Sequence, residues 1–162
     1  MLKPIPIHIL LIIAIALLDL LLMVQPVQAS RVVKFYDGDN MTVIQGGIKT
    51  KVSLACIDAP ELKQAFGQSA RKSLKAMVGN SDFSLRVLAK DRFGRLVAEV
   101  FAHDLNVNKA LIEKGLAHFY SSYKNGCEGY AEAERQAQIG RLGMWRNGTD
   151  IELPNQFRKT NY

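Results

Sequence analysis

Residues 48–61 read Ile48-Lys49-Thr50-Lys51-Val52-Ser53-Leu54-Ala55-Cys56-Ile57-Asp58-Ala59-Pro60-Glu61, and the change of pattern inside them sets the architecture. From Ile48 to Ile57 the apolar positions suit an extended strand. At Asp58 that pattern ends, and two carboxylates flank a proline, a residue suited to the start of a helix. Leu62, Phe66, Ala70, Leu74 and Met77 or Val78 then recur every three to four residues. This spacing predicts a helix that starts near Pro60 and stops near Gly79.

Working outward, Gly46-Gly47 reads as a hairpin turn, with Arg31 to Tyr36 and Met41 to Ile44 as the two preceding strands. Downstream, strands near Phe83 to Leu88 and Leu96 to Phe101 bracket Asp91-Arg92-Phe93-Gly94-Arg95. Asn106 is placed to cap a second helix through Lys114, which Gly115 terminates, and a third helix is expected from about Glu128 to Gln138. The predicted fold is α+β, a five-stranded OB-type Greek-key β-barrel with three helices. The tail from Asn147 to Tyr162, with Pro154 and mixed polar residues, reads as a loosely held extension.

The chain has 162 residues, 48% of them apolar, and a net charge of +6. This is one domain's length, and the composition excludes collagen, coiled coil, solenoid and a disordered chain. Residues 1–29 read as an export signal: Lys3, an apolar run from Ile9 to Leu18, then Val27-Gln28-Ala29 at the cleavage positions. An uncleaved anchor is the alternative, but Asp19 closes a run short of the about 20 apolar residues that a membrane span needs. Cleavage leaves a domain over residues 30–146, secreted or periplasmic, monomeric, and not stably membrane-associated. Lys3 and Asp19 leave together, so the basic balance survives and biases the domain toward polyanions: nucleic acid, acidic glycans or an anionic membrane surface. Cys56 and Cys127 allow one bridge in an oxidising compartment or two buried thiols, and the bridge is the expected state. Neither has zinc-site spacing, and His103 and His118 form no metal pair.

Asp37-Gly38-Asp39 alone is an Asx turn between strands, and Glu61 alone is an acid favoured at a helix N-terminus. Together, Asp37, Asp39, Asp58 and Glu61 put carboxylates at the ends of neighbouring strands in an otherwise basic protein. Asp39 and Asp58, completed by a backbone carbonyl and waters, are the hard oxygen ligands that Ca²⁺ or Mg²⁺ requires. The Asp91–Arg95 loop offers guanidinium groups suited to bidentate phosphate contact. Lys63, Arg71, Lys72 and Lys75 form a basic helix face, solvated or lending salt-sensitive attraction for a phosphate backbone.

These pieces, with Phe66-Gly67, Val107-Asn108, Gly115-Leu116-Ala117, Ala133-Glu134 and Gly143-Met144-Trp145, resemble the staphylococcal nuclease (thermonuclease) family from about Arg31 to Trp145. The resemblance implies a nuclease for DNA and RNA that uses one Ca²⁺, bound by Asp39, Asp58 and the carbonyl of Ala59. It implies Glu61 as general base toward water, Arg95 as the phosphate clamp, and 3′-phosphate products. Asp37, Asn40 and Asp91 would stand behind these groups, and Arg92, Phe93, Lys51, Tyr120 and Tyr123 would hold the substrate.

Two positions depart from the family pattern. Ser53 stands where the family has a second phosphate-clamping arginine, and Asn40 where it usually has Thr. A guanidinium in that role contributes on the order of 10³-fold, so Ser53→Arg is expected to raise turnover beyond about tenfold. Lys51, two residues earlier on the same strand face, offers a partial substitute. The alternative is a catalytically weakened nucleic-acid-binding OB module. Asn40-Met41-Thr42 and Asn147-Gly148-Thr149 match the glycosylation acceptor pattern, and a glycan on Asn40 would crowd the ion site.

Overall fold

The computed structural model describes residues 30–121, 126–149 and 151–161. The expected export signal and Tyr123 lie outside the described residues. Among those described, no helix is long and apolar enough to cross a membrane.

Strands β1 (Arg31–Phe35), β2 (Asn40–Gln45) and β3 (Ile48–Leu54) form an antiparallel meander. The tight turn between the last two works because Gly46 and Gly47 hold φ at 57° and 77°, the left-handed region that a two-residue hairpin requires. After β4 (Ile57–Asp58) comes helix α1 (Gly67–Val78), then the antiparallel pair β5 (Phe83–Lys90) and β6 (Leu96–Ala102). Strand β6 runs parallel to β3, with Val52, Ser53 and Leu54 opposite Leu96, Val97 and Ala98. The short β7 (Leu105–Asn106) leads into α2 (Val107–Glu113), and β8 (His118–Phe119) pairs with β4. Helix α3 (Tyr130–Ile139), a 3₁₀ turn over Gly143–Asn147 and α4 (Pro154–Asn161) complete the chain.

The class is α+β, as the sequence predicts, but with differences. Among the described residues, the five expected strands are joined by three two-residue strands, and there are four helices rather than three. The large sheet runs β1-β2-β3-β6-β5 with β7 beside β6, and among the described residues no ladder joins β1 to β5 into a closed barrel. Both outer pairings carry register shifts, at Val32/Lys34 and Val87/Ala89. Such bulges bend a strand and increase its twist.

The helix expected from Pro60 begins only at Gly67. Residues 61–66 instead make two turns, closed by Gln64 N–H to the Glu61 carbonyl at 2.8 Å and Gly67 N–H to the Gln64 carbonyl at 3.1 Å. Glu61 therefore owes nothing to a helix dipole. Gly67 is required there because a Cβ would lie 1.9 Å from the Glu61 carbonyl oxygen. The long third strand also breaks. Cys56 adopts φ 67° between β3 and β4, a conformation that costs a non-glycine residue on the order of 1 kcal/mol or more.

Three ties hold that corner: the Cys56–Cys127 disulfide, Tyr120 N–H to the Cys56 carbonyl at 3.0 Å, and Asn108. Fully buried, Asn108 donates to the carbonyls of Ala55 and Ala98 and accepts from Val100 N–H, pinning the corner to β6.

The core is one apolar cluster between sheet and helices. Met41, Val43, Val52, Leu54, Val97 and Val100 meet Leu74 of α1, Leu111 of α2 and Tyr130 of α3. A smaller cluster of Ala137, Met144 and Trp145 receives Phe66, Ile151 and Leu153. That second cluster takes in part of the tail that the sequence reads as a loosely held extension. Its apolar contacts anchor residues 151–153, and Pro154, buried at the first helical position, starts α4.

Candidate active site

Three loops meet at one mouth of the sheet. In the first, Asp37 Oδ1 accepts Asp39 N–H at 3.0 Å and Asn40 N–H at 2.7 Å, an Asx turn. Gly38 packs so tightly on α1 that a Cβ would meet the methyls of Ala70 and Ala59 at 2.5 and 2.8 Å. This contact fixes Asp39, whose Oδ2 accepts Ala59 N–H at 2.8 Å. The second loop follows the Cys56 corner: β4 places Asp58 opposite His118, and the turn after Pro60 sets Glu61 beside it. In the third, Asp91 Oδ1 accepts Phe93 N–H and Arg95 N–H, both at 2.9 Å, while Gly94 takes φ 78°. Asp91 Oδ2 then holds Arg95 Nε at 2.6 Å, and Arg95 Nη1 reaches across to Asn40 Oδ1 at 2.8 Å.

Asp39, Asp58, Glu61 and Arg95 all line one cleft of about 830 Å³, as do Lys51, Ser53, Arg92, Phe93 and Tyr120. Asn40, opposite Ser53 in the β2–β3 register, links the acids to Arg95. Its amide also donates to Asp39 Oδ1 and to both oxygens of Asp37. Phe93 is 69% exposed, with the Arg92 and Arg95 guanidinium groups 4.8 and 5.7 Å from its ring. Tyr120 is 43% exposed at the cleft wall. The ring of Phe93 is thus an exposed aromatic surface at the cleft with two guanidinium groups over it.

The acids differ in compensation. Asp39 is 7% exposed, and burial followed by the charge of Asp37 pushes its carboxyl well above the usual carboxylate range. The described ion pairs include none to Asp39. Asp58 is equally buried, but its carboxyl lies below the ordinary value. Burial would raise it, and the adjoining His118 imidazole and Arg158 guanidinium outweigh that effect. His118 Nε2 is buried, 3.7 Å from Asp58 Oδ2, and makes no hydrogen bond.

Arg158 is the residue that sequence reasoning missed. From α4 it grips both oxygens of Asp58, Nη1 to Oδ1 at 3.0 Å and Nη2 to Oδ2 at 2.8 Å, and Nη1 also reaches Glu61 Oε1 at 2.9 Å. These bonds push its guanidinium pKa further up, the bond to Asp58 foremost. One sequence signal points to it: proline ahead of a polar, basic segment marks a helix start.

Among the described residues, no three acid, histidine or cysteine side chains converge to hold an ion by themselves. Two buried carboxylates, one of them without a cationic partner, nevertheless suit a hard divalent ion whose shell a backbone carbonyl and waters complete.

Buried acids facing guanidinium groups across an open, aromatic-rimmed cleft define a phosphodiester hydrolase, a nuclease. Residues 51–147 match the family described as staphylococcal nuclease homologue. A Haemophilus influenzae protein described as an uncharacterized endonuclease is 39% identical over 130 residues, 80% of this chain and 72% of that protein. An Escherichia coli O157:H7 protein with the same description is 30% identical over 122 residues, 75% of this chain and 79% of its own. The Arabidopsis thaliana staphylococcal-like nuclease CAN1 is 32% identical over 111 residues, 68% of this chain and 34% of its own. The chain belongs to the staphylococcal nuclease family.

Proposed function

We propose that this protein is an exported, Ca²⁺-dependent nuclease that hydrolyses phosphodiester bonds of DNA and RNA without sequence preference, on an OB-type scaffold. One observation carries the reading: Asp39, Asp58 and Glu61 share a cleft with Arg95, which reaches across it to Asn40.

In this reading the carboxylates of Asp39 and Asp58 and the carbonyl of Ala59 hold the calcium ion. Held there, such an ion would lower the pKa of a bound water and offset the charge that develops on the phosphate. Glu61 takes the proton of the water that attacks phosphorus. Its Oε1 is engaged by Arg158, which leaves Oε2 to accept that proton. Arg95 binds the scissile phosphate and stabilises charge on its equatorial oxygens. Asp91 orients Arg95 through Nε, so the guanidinium edge is aimed before substrate arrives. The 5′-oxygen leaves, giving 3′-phosphate ends. Phe93 and Tyr120 offer stacking surfaces that every base can use, which suits single strands and locally opened duplex.

The test is digestion of single-stranded DNA by protein purified as residues 30–162. Cleavage with Ca²⁺ that leaves 3′-phosphate ends, and is lost with chelator and in Glu61→Gln, supports the assignment. DNA that is bound but left intact would instead identify the weakened binding module.

A further inference from the structure

Three guanidinium groups line the cleft, and two of them, Arg92 and Arg95, belong to the loop that the sequence assigns to it. The third, Arg158, lies beyond the residues matched to the family. Its side chain is 42% exposed, so its bond to Asp58 is open to exchange. A planar guanidinium meets carboxylate and phosphate with the same fork. The segment that carries Arg158 has other ties to the domain as well. Ile151 and Leu153 sit on the Trp145 cluster, Gln64 Nε2 donates to the Glu152 carbonyl at 2.6 Å, and Gln156 Oε1 accepts Leu153 N–H at 2.9 Å.

Phosphoryl transfer spreads negative charge over three equatorial oxygens, more than one cationic side chain normally handles. Strand β3 places the uncharged Ser53 opposite Asn40, the residue that Arg95 contacts, and adds Lys51 to the cleft lining. We propose that Arg158 is a phosphate-binding residue of this active site: it rests on Asp58 and Glu61 in this structure and turns to the phosphodiester when a divalent cation claims Asp58. The inference rests on the nuclease reading and adds a residue to its site. It also revises the expectation for Ser53→Arg: with Arg158 present that substitution adds little, and its gain appears once Arg158 is removed.

Three variants test this: Arg158→Ala, Arg158→Lys, and Ser53→Arg combined with Arg158→Ala. Arg158→Ala should lower kcat on single-stranded DNA by about 10² or more, Arg158→Lys by less, and the double variant should recover at least about tenfold. Binding is read separately in a Glu61→Gln background, with Ca²⁺ titrated by calorimetry and a fluorescent oligothymidylate followed by anisotropy. Removing Arg158 should tighten Ca²⁺, because a competitor for Asp58 is gone, and weaken the oligonucleotide.

Unchanged or raised turnover in Arg158→Ala overturns the proposal and leaves Arg158 as a mere latch. Joint weakening of metal and oligonucleotide overturns it in favour of a structural role. If the wild-type protein does not cleave at all, the nuclease reading fails, and the anisotropy result alone decides whether Arg158 contacts phosphate.

Discussion

Among the described residues, carboxylates are buried in two places, and they behave in opposite ways. Glu99 of β6 is 1% exposed and closed on itself: Arg86 pairs with Oε2, while Oε1 accepts Tyr130 Oη–H at 2.6 Å and Asn106 Nδ2–H at 3.0 Å. Its partners come from β5, β7 and α3, which already pack there, so its lone pairs are filled by the fold itself. Asp39 and Asp58 are almost as buried but open onto the cleft. Asp39 is crowded by Asp37, and Asp58 is satisfied by a guanidinium from the far end of the chain. Burial of an acid therefore does not mark a site in this protein. What marks it is the opening onto the cleft, with Asp39 lacking an ion pair and Asp58 held by a half-exposed arginine.

The sharpest way to break this contrast is to show that the cleft acids are structural too. Glu61→Gln should lower kcat by about 10³, within the range for removing a general base, while urea unfolding shifts by no more than about 0.5 kcal/mol. Stability loss without activity loss would put Glu61 with Glu99. The reverse substitution is next in size. Glu99→Ala takes the acceptor from Asn106 Nδ2–H and the partner from Arg86, leaves Tyr130 Oη–H only Asn106 Oδ1, and should cost about 3 kcal/mol in denaturant unfolding. Turnover per folded molecule should be unchanged, since Glu99 does not line the cleft.

Metal response separates the two clusters a third way. Under the proposed calcium role, Ca²⁺ at 100 times its Kd should raise unfolding free energy by about 2.7 kcal/mol, measurable as a shift in thermal unfolding. Asp39→Asn should abolish that gain. In chelator the same variant should be at least as stable as wild type, because a carboxylate crowded by Asp37 has been neutralised. A full calcium response in Asp39→Asn would remove Asp39 from the ligand set.

Much of this was legible in the sequence because the site is written in local motifs. Asp-Gly-Asp is a turn whose first side chain caps it, and Asp91 to Arg95 is a loop whose first residue aims its last. In both, neighbours along the chain fix the geometry. The gathering of these loops followed from the order of strands. What escaped notice depends on contacts distant in sequence. Nothing in Leu54 to Ile57 signals a left-handed Cys56, because that corner is enforced by Cys127, Tyr120 and Asn108. The apolar spacing of Leu62 and Phe66 fits a helical turn as well as the two turns actually made. For Arg158 the sequence offers only the proline that starts its helix, and it is Ile151 and Leu153 packing on the Trp145 cluster that ties this polar segment to the domain.

The smallest expected effect concerns alkali, and it belongs to the closed cluster alone. Burial first, then the hydrogen bond to Glu99, pushes the Tyr130 phenol well above its usual value of 10.0. A tyrosine with a raised folded pKa stabilises the native state fully below the unfolded pKa. That contribution is lost as pH climbs from the unfolded toward the folded value, because only the unfolded chain releases its proton. Above pH 10 the slope from this group approaches about 1.4 kcal/mol per pH unit. Tyr130→Phe should flatten that alkaline limb while costing about 1 kcal/mol at neutral pH for the lost hydrogen bonds. Unfolding curves in urea from pH 7 to 11, run for both proteins, measure the difference. An equally steep limb in Tyr130→Phe would mean that Glu99 is closed without help from its phenol, and that the two clusters differ less than their burial suggests.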